Sequence, residues 1–104
     1  MTITNFGSGE VEISDDQGRR TRLDRESANR LVMAGRMHTV AEFVEKLPAL
    51  IASAEIAAAL RETFEKASTS TDKWNVKEKF ARLRTLAKGY EPANPGDVVE
   101  TVSF

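Results

Sequence analysis

The sequence predicts an α+β domain: a small antiparallel hairpin or sheet at the N-terminus, packed on a bundle of three to five helical segments. Three observations predict it. Residues 2–23 are short β-branched runs separated by Gly- and Asp-rich turns. From Asp24 to Tyr90 the apolar residues recur at helical spacing. The 104 residues, 40% hydrophobic and 30% charged, suit one folded domain of the usual size, roughly 100–150 residues. We therefore expect a single domain, 1–104, that is β-rich over 1–23 and helical over 24–90, with 91–104 a tail or a final strand.

Thr2 to Phe6, Glu10 to Ser14 and Arg19 to Leu23 are the candidate strands. Gly7-Ser8-Gly9 separates the first two. Asp15-Asp16-Gln17-Gly18 joins the second and third as a four-residue hairpin connection, because Asp suits the first turn positions and Gly18 tolerates positive φ. Val11 and Ile13 alternate with Glu10, Glu12 and Ser14, which gives one buried and one wet face.

Asp24 is the expected N-cap of the first helix, with Glu26 in its first turn; Ala28, Leu31, Val32 and Met33 follow, and Gly35 reads as its stop. Thr39-Val40-Ala41-Glu42 fits a capping box for the second. Val40, Phe43, Val44, Leu47, Leu50, Ile51 and Ala54 then hold one apolar face that Pro48 interrupts, either by ending one helix and opening the next or by kinking a single helix. Ile56, Leu60, Phe64 and Ala67 form the next stripe, and Ala67 to Asp72 reads as a polar loop. The last helix is expected to start near Asn75, with Val76, Phe80, Leu83, Leu86, Ala87 and Tyr90 on one face and Gly89 and Pro92 ending it. The expected core is Val11, Ile13, Leu31, Phe43, Val44, Leu47, Ile51, Leu60, Phe64, Phe80 and Leu83.

The inventory argues against enzymatic chemistry. There is no cysteine, which removes disulfides, thiolate nucleophiles and Cys-rich zinc sites, and points to a reducing cytoplasm. The one histidine, His38, stands in the connection before a capped helix and reads as a loop residue. Asp15-Asp16 is what a tight turn selects, and it lacks the further oxygen ligands of a calcium loop. No glycine pattern cradles a phosphate, and no serine sits in a nucleophile-elbow context. No cofactor, metal or catalytic residue is expected. Met1 to Glu12 lacks the basic and apolar regions of a signal peptide, and no apolar run approaches the roughly 18 residues of a membrane span.

Charge is balanced overall, at -1, yet segregated. Between Asp72 and Tyr90, six cations (Lys73, Lys77, Lys79, Arg82, Arg84, Lys88) against Asp72 and Glu78 leave +4. On a continuous helix, at about 100° per residue, Lys73, Lys77, Arg84 and Lys88 share an arc of roughly 60° beside the apolar stripe, with Trp74 at its start. Such a patch suits an acidic partner. The alternative is internal neutralisation by the acidic tail, Glu91, Asp97 and Glu100. We read Lys73, Trp74, Lys77, Arg84 and Lys88 as the partner-binding residues of a non-enzymatic protein–protein interaction module: a small regulator, inhibitor or assembly partner.

A second reading rests on Arg19-Arg20-Thr21-Arg22. On a strand, Arg20 and Arg22 share a face; the same arginines would also protect a sheet edge. The order basic strand, helix, Gly35-Arg36-Met37-His38-Thr39, capped helix makes the segment Arg19 to Ile51 resemble a ribbon-helix-helix DNA-binding domain. That resemblance implies a strand paired with its dimer mate in the major groove, Arg20 and Arg22 reading bases, and Thr39 capping the second helix beside a phosphate. The sequence departs from the family in a short interval between Leu23 and Gly35, in Met37 where the turn has a serine, and in the hairpin that offers the strand a partner within its own chain.

Overall fold

A computed structural model describes residues 1–84 and 94–104. Three strands, β1 (Thr2–Phe6), β2 (Val11–Ser14) and β3 (Arg20–Leu23), precede four helices, α1 (Arg25–Met37), α2 (Val40–Leu50), α3 (Ala54–Glu65) and α4 (Ser70–Arg82). A last strand, β4 (Val98–Ser103), closes the fold. Among the described residues the architecture is α+β, a four-stranded antiparallel sheet with four helices. The sheet order is β3-β2-β1-β4, so the strand nearest the C-terminus lies beside the first.

Gly18 takes φ 80° in the β2–β3 turn, and Asp15 organises that turn by accepting the amides of Gln17 and Arg19, each at 2.9 Å. In register, Ile3 faces Ile13 and Val102, and Val11 faces Leu23. These five residues are buried and form one core with the helices. Thr4, Glu12 and Arg22, paired across the strands, stand on the opposite face. Phe43, Phe64 and Phe80, from α2, α3 and α4, meet at the centre with ring centroids 5.0–5.9 Å apart, and Phe104 closes on Phe64 and Phe80. All eleven expected core residues are buried.

Three expectations need correction. Gly35 does not stop α1. The helix runs through it to Met37, and a Cβ at Gly35 would lie 2.4 Å from the Phe80 ring, so this glycine lets α4 approach α1 closely. Met33, not among the expected core residues, is on the outer side of α1. Pro48 is not the break: it lies within the last turn of α2, which ends at Leu50, and the chain turns at Ile51–Ser53 before Ser53 caps α3. The third concerns α4, which opens five residues earlier than Asn75. Thr69 and Asp72 form a capping box inside the stretch read as a loop.

The far end of α4 also differs. The apolar pattern continues past Leu83, yet the helix ends at Arg82. In a continuing helix the Arg84 amide would donate to the Phe80 carbonyl. Instead that amide donates to Asn5 Oδ1 at 2.7 Å, and the Phe80 carbonyl accepts from Arg36 Nε at 3.0 Å. Arg36 also reaches the carbonyls of Ala81 and Leu83. A cation on the carbonyl end of a helix is electrostatically favourable. Leu86, Ala87, Gly89, Tyr90 and Pro92 lie outside the described residues.

Candidate functional site

The basic residues of the α4 region separate into two groups. At the helix start the capping box fixes the first turn: Asp72 N–H donates to Thr69 Oγ1 at 3.0 Å, and Thr69 N–H donates back to Asp72 Oδ2 at 3.4 Å. Lys73 and Lys77 follow, four residues apart and hence on one face. Trp74 stands about 60° round the helix from Lys77 and is 62% exposed. Lys73 borders a cleft of about 370 Å³ whose floor is Val40, Val44 and Phe64 and whose rim includes Glu45 and Glu65. Neither Lys73 nor Lys77 has an ion-pair partner among the described residues.

Arg84 belongs elsewhere. It follows the helix, and its backbone is tied to Asn5 on β1. Arg82, Arg84, Val99 and Glu100 line a shallow polar depression where α4 meets β4. The single arc of four cations is therefore not formed by one helix: Lys73 and Lys77 lie on it, Arg84 lies beyond it, and Lys88 lies outside the described residues. The acidic tail also acts locally. Glu100 pairs with Arg82 at 3.2 Å, and Lys79 lies 5.1 Å over the Phe104 ring. Asp97 makes no ion pair among the described residues, and Glu91 lies outside them. So β4 gives the end of α4 one ion pair, while Lys73 and Lys77 at its start have none among the described residues.

On the sheet, Arg20 and Arg22 are exposed on the face opposite the core. Arg22 donates to Glu10 Oε1 at 2.8 Å and stacks 4.3 Å over Phe6, while Arg20 has no ion-pair partner among the described residues. β3 takes β2 of its own chain as a neighbour, so a ribbon with a dimer mate could form only on its other edge. Thr39 does cap α2, and its hydroxyl already binds Glu42: Oγ1 lies 2.8 Å from Glu42 Oε1 and 3.2 Å from Glu42 N. A phosphate at that helix end would have to displace a carboxylate.

The remaining chemical candidates are structural in their contacts. His38 is the C-cap of α1, with Nδ1 3.8 Å from Glu42 Oε2. Asp15 binds Arg19, and Asp16 binds the terminal ammonium of Met1 at 2.8 Å. Among the described residues no group of three or more His, Asp or Glu could hold a metal ion, and no helix is long and apolar enough to cross a membrane.

Sequence reasoning missed Asn5 and Arg36, the two side chains that end α4. Asn5 had a signal: it is a polar residue at an inward position of a strand, two after Ile3. Met37, singled out in the sequence only as a departure from the serine turn, is 70% exposed. Comparison with protein families, with curated proteins and with solved structures gives no match.

Proposed function

We propose that this chain is a non-enzymatic protein–protein interaction module of the cytoplasm, a small regulator, inhibitor or assembly partner, and that α4 takes a partner with an acidic surface. The observation that carries the reading is Trp74, 62% exposed beside Lys73 and Lys77. An exposed tryptophan flanked by cations has the make-up of an interface anchor: the indole supplies apolar area and the lysines steer an anionic surface. Two lysines at i and i+4 repel by a few tenths of a kcal/mol, neither has an ion pair among the described residues, and an anionic partner would offset that repulsion.

The test is affinity capture from host lysate with wild-type bait, with Trp74→Ala, and with Lys73→Glu/Lys77→Glu, each checked for native circular dichroism. Both variants should lose the same captured protein, and nuclease should not. Retention by both variants would remove α4 as the site. Loss on nuclease treatment, or in an Arg20→Glu/Arg22→Glu bait alone, would favour the nucleic-acid reading, whose affinity falls steeply with salt.

A further inference from the structure

Among the described residues the sheet has two edges, β3 and β4, and they are guarded differently. The Asp15 amide donates to the Arg19 carbonyl at 3.0 Å. Alternation then turns the backbone groups of Thr21 and Leu23 toward β2 and those of Arg20 and Arg22 outward. A second copy pairing there would set arginines against arginines, which is unfavourable.

β4 is six residues long, Val-Val-Glu-Thr-Val-Ser, with a single charge, Glu100, and Val98 is 57% exposed. Among the described residues no strand lies outside it. The Phe104 amide donates to Met1 O at 2.9 Å, so residues 100, 102 and 104 bond β1 and residues 101 and 103 turn their backbone groups outward. The outward Thr101 amide is already taken. It donates to Glu100 Oε1 at 3.0 Å, and the same oxygen accepts from Arg82 Nη2 at 3.2 Å.

We propose that the β4 edge is a self-association edge held shut by this Glu100–Arg82 clasp, and that its occupant is the β4 edge of a second copy. The edge is self-complementary. In an antiparallel pair the outward residues face one another, and a two-fold axis at Thr101 sets Thr101 against Thr101 of the second copy; beyond Glu100 the register shifts, with Asn5 opposite Glu100 and Phe6 opposite Val98, so the regular edge centres on Thr101 and Ser103. Threonine pairs are favourable there, and β-branched residues suit a strand. The central bonds of that pair would be the Thr101 amides, the donors that Glu100 occupies. The clasp thus blocks the edge twice: it removes the central donor, and it places two carboxylates beside the axis. Its release would join two sheets into one of eight strands. An edge held closed by a charged side chain is a known protection against unwanted pairing, and here the guard itself rests on a surface ion pair, so whatever draws Arg82 or Glu100 away opens the edge.

Sedimentation and light scattering at about 100 µM test it. Wild type should have the monomer mass of 11.5 kDa, and Glu100→Ala, with native circular dichroism, should shift toward twice that mass with rising concentration. Arg82→Gln, which leaves the carboxylate unanchored, should shift the same way but less, and serves if Glu100→Ala does not fold. Glu100→Ala/Thr101→Pro should return to monomer, because the Thr101 amide makes no bond to β1 and proline is tolerated at such an edge position. A folded Glu100→Ala that stays monomeric, a wild type that is already dimeric, or a dimer that survives Thr101→Pro would each overturn the proposal.

Discussion

Gly35 has no Cβ, and the Phe80 ring occupies the space where one would stand. The ring cannot swing aside freely, since Phe43, Phe64 and Phe104 lie 5.0–5.9 Å from it. Gly35→Ala gains about 1 kcal/mol of helix propensity and meets an overpacking cost of about 1–3 kcal/mol. The second should win, lowering stability by about 1 kcal/mol in urea titration; a raised midpoint would show that the ring yields. Asn5 is the counterpart among polar residues. It is fully buried, accepts the Arg84 amide, and donates to the Phe6 and Glu10 carbonyls at 3.4 Å. Asn5→Ala strands that amide, and should cost about 1–3 kcal/mol by the same titration, a large part of a typical domain stability of about 5–15 kcal/mol.

At the scale of elements, what could be read from the sequence is what local chemistry decides. The bounds of β1, the Asp15–Gly18 turn, the Asp24 cap and the Thr39 capping box follow from residues within four positions of one another. The end of α4 does not. Arg36 and Asn5 lie 44 and 79 positions from the groups they bind, so no window along the chain contains the cause. Gly35 misled for the same reason: its neighbour is on another helix. The arc of four cations has the same origin: it presumed a helix that continues past Arg82, so it placed Arg84 on α4 with Lys73 and Lys77. The start of α4 was legible in principle, as Thr69-Ser70-Thr71-Asp72 has the capping-box spacing. The α2 box gives a pH prediction. Hydrogen bonds from the Thr39 side chain and backbone hold the Glu42 carboxyl below its ordinary value of 4.5. A depressed carboxyl contributes stability that is present above that ordinary value and lost as pH falls through the lower folded one. Acid unfolding of Glu42→Gln should therefore show a shallower loss of stability below pH 4.5 than wild type. Equal slopes would mean that the box contributes nothing.

Across the whole molecule, one aromatic cluster joins every layer. Phe80 touches Phe43 of α2, Phe64 of α3 and Phe104 beyond β4, and lies against Gly35 of α1. Phe80→Ala should cost about 3–5 kcal/mol, read as a lowered denaturant midpoint, and should loosen helices and sheet together rather than one segment. The pairing of β1 with β4 has a temporal consequence. β1 finds β2 within a dozen residues, but its other neighbour comes almost a full chain length later, and closing so large a loop is entropically costly until the helices between them have packed. On a ribosome, the first three strands and the helices emerge long before β4 does, and the outer backbone edge of β1 waits unpaired. Docking of β4 then belongs after the rate-limiting step. Val102→Ala, at a buried β4 position, should speed unfolding in stopped-flow chevrons and leave the folding arm almost unmoved.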